Sequence, residues 1–326
     1  MMEMRYVDGD GVRIRDPHEP IGGPEGGGFT WVDVPEWSPE VEMVLRGLGC
    51  HEKVLEACQG RNHVPTVHAY VDHLFITTQS PLLGGAGHVH LLELDQIVGR
   101  DYLVTVHGPL NPIVDPTQAM VETDAALRRI TSGRFRPTTP YDLSFAITSG
   151  VARRQRDLIT EVAGKLPGLE KHVMDSRLTQ PEALLERMFL IRHELITTRT
   201  MAAQCCDVWA RAAALARVTD EAAKEHARDL TDQFDRVRSI ADGESQFLFG
   251  VIELYQTKVN TKMTVAMERL AVIAAVTLPI TAIASIEGMN MIVALRENRI
   301  ELGIVLLIML VMSFLLLRWA RRQGWW

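Results

Sequence analysis

Apolar and polar positions repeat with different periods along this chain, and the changes of period mark its parts. Phe29-Thr30-Trp31-Val32-Asp33-Val34 is rich in β-formers and predicts a strand. Residues 67–77 alternate, and residues 91–98 and 102–106 predict further strands, with Gly84-Gly85-Ala86-Gly87 as a turn. Ser38-Pro39-Glu40 predicts a helix start, with Ser38 as N-cap and Pro39 in the first turn. From about Tyr141 the period becomes helical. Residues 182–216 are amphipathic, with Leu184, Met188, Ile191 and Leu195 three or four apart. Residues 220–290 read as one very long helix whose apolar positions include Leu230, Phe234, Val237, Phe247, Val251, Leu254 and Val259, a coiled-coil-like seam. About seventy residues at about 1.5 Å each would extend roughly 100 Å. Such a helix is a stalk, and its seam predicts neighbours.

Two long apolar runs follow, at about 270–286 and 302–317. Between the tripeptide Gly288-Met289-Asn290 and the second run lie about eleven residues, too few for a folded domain. The pair predicts a helical hairpin across a bilayer, with Gly288-Met289-Asn290 at the turn and an ion entrance there. Two spans enclose no polar path alone, so conduction requires several copies around an axis. The first span carries the polar positions: Thr277, Thr281, Ser285 and Asn290 step by four, four and five, close to one face. The alternative for the threonines is bonding to their own helix carbonyls. Pro279 predicts a bend or a freed carbonyl. The second span is apolar all round apart from Ser313, which suits lipid. Asn amide oxygens can accept hydrogen bonds from the water shell of a cation that dehydrates reluctantly, and Gly288 permits a tight backbone at the mouth. Taken alone, Gly-Met-Asn would read as a helix C-terminus.

Composition changes this picture only in part. The chain has 326 residues, 47% of them hydrophobic, and a formal net charge of −7. The charges are concentrated before about residue 265. Met1-Met2-Glu3-Met4-Arg5-Tyr6 lacks the apolar core of a signal peptide, so the first region is expected in the cytosol. Arg318, Arg321 and Arg322 follow the second span and place the C-terminus inside; two spans then place the N-terminus inside too. Gly324-Trp325-Trp326 suits an interfacial anchor. Cys50, Cys58, Cys205 and Cys206 form no C-x-x-C pair and read as reduced thiols; Cys50, His51, Cys58, His63 and His68 fit no zinc-finger spacing. No P-loop, G-x-S-x-G or nucleophile–base pair is visible, so an enzyme is not expected, nor a nucleic-acid partner. The architecture expected is an α/β cytosolic domain plus a long stalk helix and two C-terminal transmembrane helices. Its divisions are a flexible segment at 1–28, the α/β domain at 29–140, helices and stalk at 141–268, and at 269–326 the membrane hairpin (spans about 270–290 and 302–317) with its basic tail.

Residues 277–290, Thr-Leu-Pro-Ile-Thr-Ala-Ile-Ala-Ser-Ile-Glu-Gly-Met-Asn, resemble the first span and signature of the CorA-type magnesium transporter family. The likeness extends to Trp31-Val32-Asp33-Val34, to Val98-Gly99-Arg100-Asp101-Tyr102 with Val104-Thr105-Val106-His107, and to Arg228-Asp229-Leu230-Thr231-Asp232 and Glu253-Leu254-Tyr255. It covers nearly the whole chain after about residue 28. The resemblance implies a funnel-shaped homopentamer in the inner (plasma) membrane, moving Mg2+, with Co2+ or Ni2+ as further candidates. It places Asn290 in an outer selectivity ring, with Gly288 and Met289 beside it. Inward from there, Thr281, Leu278, Leu270, Met267 and Thr264 line the pore, Leu278, Leu270 and Met267 forming a constriction that gates by dewetting. Relatives often carry Asn where Thr264 stands.

The resemblance also puts Asp229 in a regulatory divalent site between subunits, where internal Mg2+ would hold the closed state. Alternatively, Asp229 is a solvated surface charge. Residues 82–90 contain no carboxylate to partner it; Glu93 and Asp95 are the nearest. At the mouth, Glu287 stands where the family usually has an aromatic residue. Such a carboxylate would concentrate cations or pair with Arg296 or Arg299. Glu297 and Glu301 balance those two arginines, so the loop 291–301 is neutral. Two competing readings are zinc uptake, as in ZntB relatives, against which Met289 argues, and a membrane-tethered enzyme or binding module with the hairpin as anchor.

Overall fold

A computed structural model describes residues 2–15, 27–62, 64–175, 181–215, 221–288 and 299–323. Seven strands form one sheet: β1 (Glu3–Asp8), β2 (Gly11–Ile14), β3 (Phe29–Val34), β4 (Thr66–Ala69), β5 (Leu74–Leu83), β6 (Val89–Val98) and β7 (Tyr102–His107), in the order β2-β1-β3-β7-β6-β5-β4. Only β3 and β7 pair in parallel; the other neighbours are antiparallel. The helices are α1 (Pro39–Gly47), α2 (Glu52–Gln59), α3 (Val121–Thr131), α4 (Pro140–Met174), α5 (Pro181–Ala214), α6 (Glu221–Gly288) and α7 (Arg299–Arg322).

Both faces of the sheet are covered, as a central parallel pair requires. On one face Val32, Val34, Val104 and Val106 pack with Val41, Leu45, Val54 and Leu55 of α1 and α2. On the other, Phe29, Trp31 and Leu103 pack with Ile130 of α3, Leu143 and Ile147 of α4, Trp209 of α5, and Leu230 and Phe234 of α6. Strand alternation therefore divides each strand's apolar residues between two cores. Local signals fix the helix starts. Ser38 Oγ accepts from Val41 N at α1, with Pro39 in the first turn, and Thr139 with Asp142 forms a capping box at α4.

The structure corrects the expected flexible segment at 1–28. Residues Glu3–Asp8 and Gly11–Ile14 are a paired hairpin at the sheet's edge. Asp8 closes its turn by accepting from Asp10 N and Gly11 N, and Gly11 takes φ +142°, a backbone that favours glycine. The Gly- and Pro-rich stretch at 16–26 lies outside the described residues. The alternating run at 67–77 is likewise two elements, β4 and the start of β5.

The chain divides into two compact units, Met1–Val251 and Ile252–Trp326, with the division inside α6. That is earlier than the expected boundary at 268/269. In the first unit, Ala223, Ala227, Leu230, Phe234, Val237, Ala241, Leu248 and Val251 of α6 are buried, stepping by three, four or seven. Leu230 and Phe234 belong to the same core as α3, α4 and α5. The neighbours that the stalk seam predicts are found, over this stretch, in its own chain. Phe247, Leu254 and Val259, also expected in the seam, are exposed.

Candidate ion pathway

Among the described residues, two helices are apolar and long enough to cross a membrane, and both stretches lie in the second unit: the end of α6, and α7 over Gly303–Arg322. Each loses exposure along one stripe. On α6 the covered or partly covered positions are Glu268, Val272, Val276, Pro279, Ile280 and Ile283, with Val272 only 2% exposed. On α7 they are Val305, Met309, Met312, Ser313, Leu316 and Ala320. Read forward from Glu268 through Val272, Val276 and Pro279 to Ile283, the steps are four, four, three and four. Read backward from Ala320 through Leu316, Met312 and Met309 to Val305, they are the same. Two antiparallel helices packed stripe on stripe have this signature.

The expected pore positions lie on the other side of α6. At about 100° per residue, Met267, Leu270, Ala274, Leu278, Thr281 and Ser285 fall within about 80° of one another, and their centre is about 180° from the covered stripe. Thr264 lies about 40° outside that arc. These positions are bare: Leu270 is 65% and Leu278 68% exposed, and Met267, Thr264, Thr281 and Ser285 are exposed too. Exposure is not confined to this arc, since Ile273, Ala275 and Ile286 are exposed as well; what sets the arc apart is that it carries Thr281 and Ser285 among its Leu, Met and Ala, opposite the covered stripe.

Three threonine hydroxyls on this helix are spent locally as donors. Thr264 donates to Asn260 O (3.0 Å), Thr277 to Ile273 O (2.8 Å) and Thr281 to Thr277 O (2.8 Å). Back-bonding satisfies each hydroxyl proton without a partner from another chain. The oxygen keeps a lone pair that can accept from water or from a hydrated cation's shell. Pro279 has no N–H to offer Ala275 O, so one helix bond is missing inside the span. Gly288 is the last helical residue described, and a Cβ there would meet open space. Among the described residues, nothing requires glycine at that point. Met289, Asn290 and Glu297 lie outside the described residues, as do Gly324-Trp325-Trp326, and nothing is described of the Glu287 side chain.

The expected regulatory acids do not come together. Asp229 is exposed on α6 and accepts from Gln233 Nε2 at 3.1 Å. Glu93 and Asp95 lie inside the sheet on β6, Asp95 with 0% exposure. Glu93 accepts from Asn62 N (2.8 Å) and Asn62 Nδ2 (3.3 Å), and Asp95 from Thr77 Oγ1 (2.6 Å). Burial pushes the Glu93 carboxyl up to about 7 and raises that of Asp95 well above the usual range. Neither reaches the surface, so neither can meet an Asp229 of another subunit; the structure overturns both as its partners. Their position on β6 opposite Gln79 and Thr77 explains why they are polar: they serve a polar layer within the sheet. Among the described residues, no group of three or more His, Cys, Asp and Glu is placed to hold a metal ion. None of the four cysteines is in a disulfide. Burial raises the thiols of Cys58 and Cys50, the latter to about 12.

Sequence reasoning missed the buried polar network between β3 and β7. Asp33 Oδ1 accepts from Thr105 Oγ1 (2.6 Å) and lies 3.1 Å from His107 Nε2, and Trp31 Nε1 donates to Thr105 Oγ1 (3.0 Å). Alternation alone cannot distinguish such inward polar residues from outward ones. The network joins two neighbouring strands and reaches Arg5 of β1 and Thr123 of α3.

An α/β unit followed by a long helix that ends in one apolar stretch, and by a second apolar helix, is the architecture of a two-span membrane protein. The chain matches the CorA-like Mg2+ transporter protein family over residues 26–322, and it belongs to that family. It is 22% identical over 311 residues to the cobalt/magnesium transport protein CorA of Thermotoga maritima, covering 91% of this chain and 83% of that protein. Its fold is similar to the complete CorA magnesium transporter of Methanocaldococcus jannaschii, with a TM-score of 0.81 at 16% identity, covering 100% of this chain and 99% of that one. The full-length CmaX protein is similar with a TM-score of 0.77 at 13% identity, covering 98% and 97%. The cytoplasmic domain of ZntB from Vibrio parahaemolyticus gives 0.58 at 12% identity, covering 81% and 98%. The chain is therefore a divalent cation transporter and not an enzyme.

Proposed function

We propose that this protein carries magnesium through a channel formed by several copies, five by the resemblance, arranged with the bare face of α6 toward a shared axis. The observation that carries this reading is the opposition of the two α6 faces: one covered along a stripe that matches the covered stripe of α7, the other open and lined by Thr264, Met267, Leu270, Leu278 and Thr281. The open face is not polar enough to be stable in a lone aqueous helix, nor uniformly apolar as lipid contact favours. Leu278, Leu270 and Met267 would form the dewetting constriction. Thr281, and Asn290 beyond the described residues with Gly288 and Met289, would face the hydrated cation. Glu287 and Glu297 would set the charge at the mouth.

Magnesium, more than cobalt or nickel, fits amide and hydroxyl oxygens acting through water, because its shell is held so firmly. Asp229 is the regulatory carboxylate of this reading, exposed and so available to a neighbour, with internal magnesium holding the closed state. Both termini would be cytoplasmic and the membrane the plasma membrane, from Arg318, Arg321 and Arg322 behind the second span. The likeness to ZntB favours a zinc reading in fold alone.

Flux into vesicles containing the purified full chain tests this. Magnesium uptake that cobalt and nickel inhibit and zinc does not is the expected result. Zinc uptake without magnesium uptake would replace the reading with zinc transport, and no flux of any divalent ion would remove it.

A further inference from the structure

The face of α7 opposite its packed stripe carries a second constellation. Leu307, Leu310, Phe314 and Leu317 are exposed on it, and Phe314, Leu317, Arg318, Arg321 and Arg322 line a cleft of about 490 Å³ at its C-terminal end. From Phe314 the first three of these follow at three, four and seven residues, which keeps them on one side of the helix. Residues 302–326 contain these three arginines and no carboxylate, and none of the three forms an ion pair with a described residue. An apolar stripe thus runs directly into a cluster of guanidiniums, at the point where the span ends.

The geometry points to a binding site for an anionic phospholipid: acyl chain along Leu310, Phe314 and Leu317, phosphate held by Arg318, Arg321 and Arg322. Guanidinium forks match phosphate oxygens in pairs, which a diffuse positive surface does not. The shared chemistry is a phosphate anion, and a free phosphate ion would satisfy the arginines alone. The lipid is favoured because Phe314 and Leu317 make the cleft wall mostly apolar and continue the stripe of Leu307 and Leu310 along α7. A basic cluster at the end of a span is where such head groups are recognised. The site stands on α7 alone and does not depend on ion conduction or on the number of copies.

The full chain, extracted from bilayers of equal phosphatidylglycerol and phosphatidylcholine, should retain phosphatidylglycerol over phosphatidylcholine by about tenfold or more in the lipid counted by mass spectrometry. Arg321→Gln should lower that ratio several-fold, and the triple variant Arg318→Gln, Arg321→Gln, Arg322→Gln should bring it to about one. The triple Lys variant, which keeps the charge and the membrane orientation, should retain a preference reduced by the lost bidentate contacts. Equal retention of both lipids by the native chain, or an unchanged ratio in Arg321→Gln and in the triple Gln variant, would overturn the site. So would release of the phosphatidylglycerol by millimolar inorganic phosphate, since the arginines would then be reading a free ion.

Discussion

α6 is a single helix with two unlike halves. From Glu221 to Val251 its seam is absorbed by α3, α4 and α5, and Leu230 and Phe234 are wholly buried within one chain. From Ile252 to Gly288 it is covered along one stripe, and the face carrying Leu270, Leu278 and Thr281 is bare. The two halves look alike as patterns, since both repeat apolar residues at three and four. The difference lies in what a single chain has available to bury them. The first half answers a need for stability inside its own domain. The second leaves a need that only other molecules can meet.

Asn290→Ala should have the largest effect at the bare end: magnesium uptake falls by more than about tenfold while the oligomer, measured by light scattering, stays intact. Undiminished uptake would remove the amide from selectivity. Next comes a matched pair on the same helix. Phe234→Ala should destabilise the first unit by about 3–5 kcal/mol in denaturant unfolding, because it empties a filled core. Leu278→Ala should leave that transition unchanged and raise the leak of monovalent cations by loosening the constriction. The contrast between halves fails if Leu278→Ala unfolds the domain or Phe234→Ala leaves it untouched.

A smaller effect is expected at Asp229, on the exposed side of the first half. Asp229→Ala should leave peak current intact and weaken its decline as internal magnesium rises. Retained inhibition would place the sensor elsewhere. The smallest concerns Glu93. Its carboxyl is raised from 4.5 to about 7 by burial, so the folded state holds a proton that the unfolded state has already released. Its contribution to stability is complete below about 4.5 and is lost as pH climbs through about 7. The thermal midpoint should therefore fall across that window, and Glu93→Gln should flatten the fall; an equal slope in the variant would assign it to another group.

Much of the fold was legible in the sequence because the signals were local. The strand at Phe29–Val34, the Ser38 cap and the long helix each follow from a few neighbouring residues. The hairpin at Glu3–Ile14 was missed because the Gly- and Pro-rich stretch after it dominated the reading of 1–28. The burial of Glu93 and Asp95 could not be read, since an acidic residue on a strand has the same pattern facing in or out. The seam's partners were left open for a related reason: a heptad pattern shows that a face will be buried, but not by which chain. The bare face of α6 was legible, because Thr277, Thr281 and Ser285 interrupt an otherwise apolar run. The packing stripe of α7 was not, because that helix is apolar all round and only contact distinguishes its sides.

The central claim is that the bare face of α6 meets water within the membrane. Labelling by a membrane-impermeant thiol reagent tests it most directly, in a background where the partly exposed Cys206 is replaced by Ala. Thr281→Cys should react at least about tenfold faster than Leu307→Cys or Leu310→Cys on the outward face of α7, and the reaction should block magnesium flux. Equal, slow labelling at all three positions, as lipid contact would give, would contradict the account.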